Sequence, residues 1–169
     1  MIYEFQLSKI ATMQILYSSL LTLHILSFIA AMGTVLVSLF SYRQFWKLYA
    51  IDSVQGKAAF QSFLKTRTIG MIGLFMAILA GLSMEFTVSF AHAQSTWFRI
   101  KMFLVLLLFV NGFTQGRITT LRLQKLVSEQ GLAAPPIRVS KLKRACDLFI
   151  YTQLTIFLLI IIMAAFRFS

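Results

Sequence analysis

Between Lys9 and Arg43 lie 33 residues, Ile10 to Tyr42, that carry no formal charge. About 18 apolar residues already suggest a membrane-spanning helix, so this run alone commits the chain to lipid. Three more apolar segments follow. Spans are expected at about Met13–Phe40, Thr68–Ala91, Phe98–Gly116 and Leu148–Phe166, each long enough for a hydrocarbon core of roughly 30 Å at about 1.5 Å per residue. None alternates with the period of two that a strand needs, and lipid admits only helices or closed barrels. The expected fold is an all-α, integral membrane four-helix bundle, with residues 1–169 as a single transmembrane domain. The first segment does not read as a cleavable signal peptide. The charge before it is mixed, Glu4 with Lys9, and its apolar run far exceeds the roughly 7 to 15 residues of such a leader.

Charge supplies the direction. Only 12% of residues are charged, yet Lys and Arg outnumber the acids 16 to 5, for a net +11. In a soluble chain that balance would suggest nucleic acid, but a soluble domain carries about 25% charged residues, so a nucleic-acid partner is not expected here. Cys146 is the only cysteine, which excludes a disulfide scaffold. Twelve of the 16 cations fall in two connections, Arg43 to Arg67 and Arg117 to Arg144. By the positive-inside rule both connections are cytoplasmic, and both termini and the turn at Ala93–Trp97 face outward. Contact with anionic lipids at the cytoplasmic face is the expected use of these charges. Neither connection reads as a separate domain. Tyr42, Phe45, Trp46 and Tyr49 beside Arg43 and Lys47 predict an interfacial helix continuing helix 1, with its aromatics at headgroup depth. The second connection is expected to extend helix 3 to about Glu129, break at Gly131 and Pro135–Pro136, and resume before Asp147. Gly112 and Gly116 form a GxxxG pattern, which suits close helix packing.

Function is sought where polar groups persist inside the membrane at a cost of a few kcal/mol each. The candidates are His24, Glu85, His92 and Lys101. Glu85 stands 17 residues above the inner start of helix 2, roughly 25 Å up, and Lys101 is a turn inside helix 3 from the outer end. The two are therefore level, and an opposite-charge pair at that depth would neutralise both. His92 follows Glu85 by seven residues on the same face, with Gly81 and Ser89. His24 is the deepest titratable group. Its face of helix 1 carries Ser27, Phe28 and Ala31, small residues that suit either a close-packed helix or a flat cofactor. Asn111 and Gln115 are placed to hydrogen-bond across helices. Met32, Met76 and Met84 suit either metal ligation or gap filling. One Cys and two His cannot supply a structural zinc or iron–sulfur site, and neither GxSxG nor HExxH occurs. A di-haem bundle would need four histidines, so at most one haem is compatible, with His24 as its axial ligand.

His24 and the small residues ending in Gly33, then Arg43, Gly81, and Trp97-Phe98-Arg99-Ile100-Lys101 opening a leucine-rich helix 3 resemble the HemJ-type protoporphyrinogen oxidases and the related CopD-like membrane proteins. The resemblance covers helices 1 to 3. It implies a bacterial inner-membrane protein that binds haem b with His24 on the iron and Lys101 drawing in propionates or assisting proton transfer; Ser27 and Ala31, on the His24 face of helix 1, are the residues expected beside such a cofactor. The implied reaction is oxidation of protoporphyrinogen or a related redox substrate. The chain departs from the family at Gly112, where a second histidine is usual, and at Lys143–Asp147, where an Asn-Glu-Pro-like stretch is usual. Two other readings compete. One is a non-enzymatic accessory or assembly subunit, as a homo-oligomer or within a larger membrane complex. The other is a small metal or anion transporter using Glu85, His92 and Lys101.

Overall fold

The computed structural model describes residues 2–89, 92–127 and 136–165. They form α1 (Ile2–Tyr49), α2 (Ser53–Thr87), α3 (Thr96–Phe113), α4 (Gln115–Lys125) and α5 (Pro136–Ala165), with no strand among them. Four helical stretches are long and apolar enough to cross a membrane: Ser8–Tyr49, Val54–Thr87, Thr96–Lys125 and Val139–Ala165. No proline falls inside α1 to α4, so nothing removes a ladder hydrogen bond there. Pro136 opens α5, the position where a missing N–H costs nothing. Large apolar side chains such as Ile15, Ile29, Ile72, Phe103 and Leu158 are exposed, the reverse of a soluble surface and the arrangement lipid requires.

The helices greatly outrun the bilayer. At about 1.5 Å per residue the 48 residues of α1 extend for about 72 Å, more than twice the hydrocarbon thickness. α1 and α2 form one long antiparallel hairpin, turned at 50–52, where the Asp52 carboxylate caps α2 by accepting from the Val54 amide at 2.8 Å. The capped end satisfies a backbone donor that the first turn would otherwise leave unpaired. α2 presents small residues to α1 along one stripe, Gly70, Gly73, Ala77 and Gly81, at helical spacing. A Cβ on Gly73 would lie 3.2 Å from both the Ala31 nitrogen and the Ser27 carbonyl, so the two backbones touch. α5 runs antiparallel to α1. Phe28 meets Phe157 edge to face at 5.3 Å, and farther in the Tyr42 hydroxyl donates to the Lys143 carbonyl at 3.0 Å.

The basic ends of the helices differ from expectation. Helix 1 does continue through Tyr49, but its aromatics do not lie at a lipid surface. Tyr42, Phe45 and Tyr49 are 1%, 0% and 5% exposed and pack with Phe60, Phe63, Leu123, Leu142, Cys146 and Ile150. The Phe45 ring meets Trp46 edge to face and Tyr49 and Phe60 at a tilt, with ring centres 4.9 to 5.6 Å apart. All the long helices thus prolong the bundle beyond the membrane around a second core. Burying apolar area there, at about 25 cal/mol per Å², outweighs spreading the same rings over headgroups. Thr114 separates α3 from α4 while keeping right-handed helical angles, so the extension of helix 3 runs on through Lys125. Glu129, Gly131 and Pro135 lie outside the described residues.

Burial also sets the chemistry of this inner core. Desolvation pushes the Cys146 thiol up to about 11 and lifts the Tyr42 hydroxyl well above the ordinary phenol range.

Candidate functional site

His24 sits on α1 two helical turns outward of Ala31. Its Nδ1 donates to the Ala77 carbonyl of α2 at 2.7 Å. A carbonyl only accepts, so the proton is on Nδ1 and the lone pair is on Nε2. The Cε1–Nδ1 edge of the ring lies against Gly81, where a Cβ would come within 3.0 Å of Cε1 and 3.1 Å of Nδ1. Ala77 thereby fixes the ring's tautomer and Gly81 its position. Lys101 of α3, 77 positions on in sequence, lies within electrostatic reach of the same imidazole.

Ser27 and Ala31, expected to flank a cofactor, do not line an open groove. They are 9% and 1% exposed and are closed off by Gly73 of α2. Of the two partners their small size allows, the close-packed helix is the one present. α2 thus occupies the Cε1–Nδ1 side of the His24 ring, and α2 and α3 barely touch.

Glu85 is 8% exposed near the outer end of α2, and its Oε1 accepts from His92 Nδ1 at 3.0 Å. His92 belongs to the outer turn and packs at a tilt against Trp97, with ring centres 5.7 Å apart. The seven-residue spacing thus becomes a direct contact, and Ser89, just past the end of α2, adopts φ 54°. The other oxygen, Oε2, is buried with no hydrogen-bond partner among the described residues. No group of three His, Cys, Asp or Glu side chains is placed to hold a metal ion among those residues.

Asn111 of α3 donates through Nδ2 to Gln153 Oε1 of α5 at 2.7 Å, a cross-helix amide bond of the kind its position suggests. Arg43 donates to the Tyr151 hydroxyl at 2.6 Å. It ties α1 to α5 at the membrane boundary and stands far from His24.

Arg67 has a role that its place among the loop cations did not indicate. Its guanidinium lies across the notch left by Gly112 and Gly116, donating to the Gly112 carbonyl at 3.2 Å and to the Thr120 hydroxyl. A Cβ on Gly116 would fall 2.8 Å from the guanidinium and 2.9 Å from the Phe149 ring. The GxxxG pattern therefore admits an arginine and a phenylalanine rather than another helix backbone. The available signal was that Arg67 shares a helical face with Gly70, immediately inside a span.

No protein-family model, curated protein or solved structure matches the chain. The reading of the site rests on its own geometry.

Proposed function

We propose that this multi-pass membrane protein binds a single haem through His24 and serves as a redox protein of a bacterial inner membrane. The observation that carries this reading is the bond from Nδ1 to the Ala77 carbonyl. An axial histidine usually donates its other ring N–H to a carbonyl or carboxylate, which fixes the tautomer and increases the basicity of the ligating nitrogen. His24 has that partner, and Nε2 is the nitrogen left for iron. The donor set fits one axial bond and offers no second histidine in the bundle. His92, the other histidine, is held by Glu85 at the outer turn.

Within this reading Ala77 orients the ligand and Gly81 keeps the space beside it clear. Lys101 supplies a positive charge where carboxylates of a tetrapyrrole would approach from the outer leaflet. Haem, when bound, supplies one-electron chemistry, and oxidation of a protoporphyrinogen-like tetrapyrrole is the reaction suggested by the sequence resemblance. The test is the absorption spectrum of protein produced with haem supplementation. A Soret band in the wild type that is lost in His24→Ala supports the reading, and a colourless wild type refutes it.

A second reading, the accessory subunit, is favoured by the outer part of α1. α1 and α2 pair with residue numbers that add to about 105, as His24 does with Gly81 and Tyr49 with Gly56. The end of α2 at Thr87 therefore stands opposite residue 18, and α1 continues outward without that neighbour. Its residues from Ser8 to Leu16 are exposed. Stable co-purification of another membrane protein, lost on truncating this stretch, would support that reading.

A further inference from the structure

A cavity of about 50 Å³ lies between α1, α2, α3 and α5 at the cytoplasmic boundary of the membrane. On this measure a single water needs about 10–15 Å³, so several waters or one small polyatomic ion can be held. Four polar side chains from three helices line it: Thr34 and Ser38 of α1, Arg67 of α2 and Gln153 of α5; the Thr34 hydroxyl already donates to the Ala31 carbonyl. Phe149 and Phe157 form apolar walls.

Ser38, Arg67 and Gln153 can donate hydrogen bonds toward one occupant. Arg67 has five N–H donors, and the bonds to Gly112 and Thr120 leave some of them unused. Gln153 gives its Oε1 to Asn111, so its NH₂ group remains a donor. Ser38 is 8% exposed and contributes a hydroxyl. No acid lines the cavity, and among the described residues the ion pair formed is His92–Glu85 at the opposite end of the bundle. A half-buried guanidinium without a carboxylate is costly in a medium of low dielectric constant. An anion in the cavity would remove that cost, and guanidinium groups are suited to oxyanions because two parallel N–H groups match two oxygens.

We infer that this cavity is an anion-binding site for a phosphate-type oxyanion, held by Arg67 with Ser38 and Gln153. The site is separate from His24: Arg67 lies ten residues inward of Ala77 on α2, about 15 Å along the helix. The same chemistry has two sources at this depth, free phosphate from the cytoplasm and the phosphodiester headgroup of an anionic lipid.

The experiment follows thermal unfolding of the full chain in neutral detergent. One arm titrates sodium phosphate against sodium chloride at matched ionic strength. The other adds phosphatidylglycerol against phosphatidylcholine in mixed micelles. A saturable rise in the wild-type midpoint is expected with phosphate, with phosphatidylglycerol, or with both, and the responding arm identifies the source. Ser38→Ala should need about tenfold more of the same probe for half the rise, as expected from losing one charge-assisted hydrogen bond. Arg67→Gln should abolish the rise, and Ser38→Ala carries the test if Arg67→Gln does not fold. No rise in the wild type with either probe, or an unchanged dose dependence in Ser38→Ala, overturns the inference.

Discussion

Gly81 of α2 lies against the Cε1–Nδ1 edge of the His24 imidazole of α1, so close that a Cβ there would stand 3.0 Å from the ring. The contact makes residue 81 a control over the histidine without chemistry of its own. Gly81→Ala should tilt the ring and stretch the bond to the Ala77 carbonyl. Overpacking of this kind costs about 1–3 kcal/mol. The checks are a lowered unfolding midpoint and a weaker, shifted Soret band, with Gly81→Val worse than Gly81→Ala.

The glycines as a group divide by what surrounds them. Gly116→Ala should destabilise the bundle by about 1–3 kcal/mol, because the new methyl meets Arg67 and Phe149 at under 3 Å. Gly56→Ala should be more damaging, since its neighbour at 2.7 Å is the Tyr49 backbone, which cannot rotate aside. Gly33→Ala has nothing within 4 Å, and relief of the helix penalty of glycine should leave it neutral or stabler by up to about 1 kcal/mol. Thermal unfolding of the three variants in one detergent checks the order.

How much of this could be read in advance follows from what local spacing encodes. The charge-free runs locate the spans because lipid imposes its demand on each helix separately. The face that a helix turns to a neighbour is also legible, as in the small residues around His24. The identity of the neighbour is not, and so Ser27 and Ala31 suited a cofactor as well as they suit Gly73. Tyr42, Phe45 and Tyr49 beside Lys47 have the same pattern whether they meet headgroups or another helix. Their burial depends on α2, α4 and α5 extending equally far, which no single segment records. Arg67 was hidden for a related reason: a cation at the end of a span looks topogenic until the notch at Gly112 and Gly116 is seen across from it.

Cys146 offers a readout of the inner core. Its thiol is buried and pushed up to about 11, above the ordinary value of about 8.5. A pKa raised on folding gives stability that is complete below the unfolded value and lost as pH rises toward the folded one. Stability should therefore decline between about pH 9 and pH 11. At pH 8 a hydrophilic maleimide should label the folded protein far more slowly than the unfolded chain. In Phe45→Ala, which opens a cavity beside the cluster, labelling should accelerate.

Asn111 and Gln153 should couple weakly. Hydrogen bonds between membrane helices average about 0.6 kcal/mol and rarely exceed about 1.7. A double-mutant cycle of Asn111→Leu and Gln153→Leu, read by reversible unfolding, should give a coupling within that range.

The central claim, that His24 Nε2 is the iron ligand, is tested most directly in His24→Gly protein supplied with haem and exogenous imidazole. The account predicts that the variant loses the wild-type Soret band and regains it as imidazole is added, because the free ring replaces the missing ligand. Retention of the wild-type band in His24→Gly without imidazole would contradict the account.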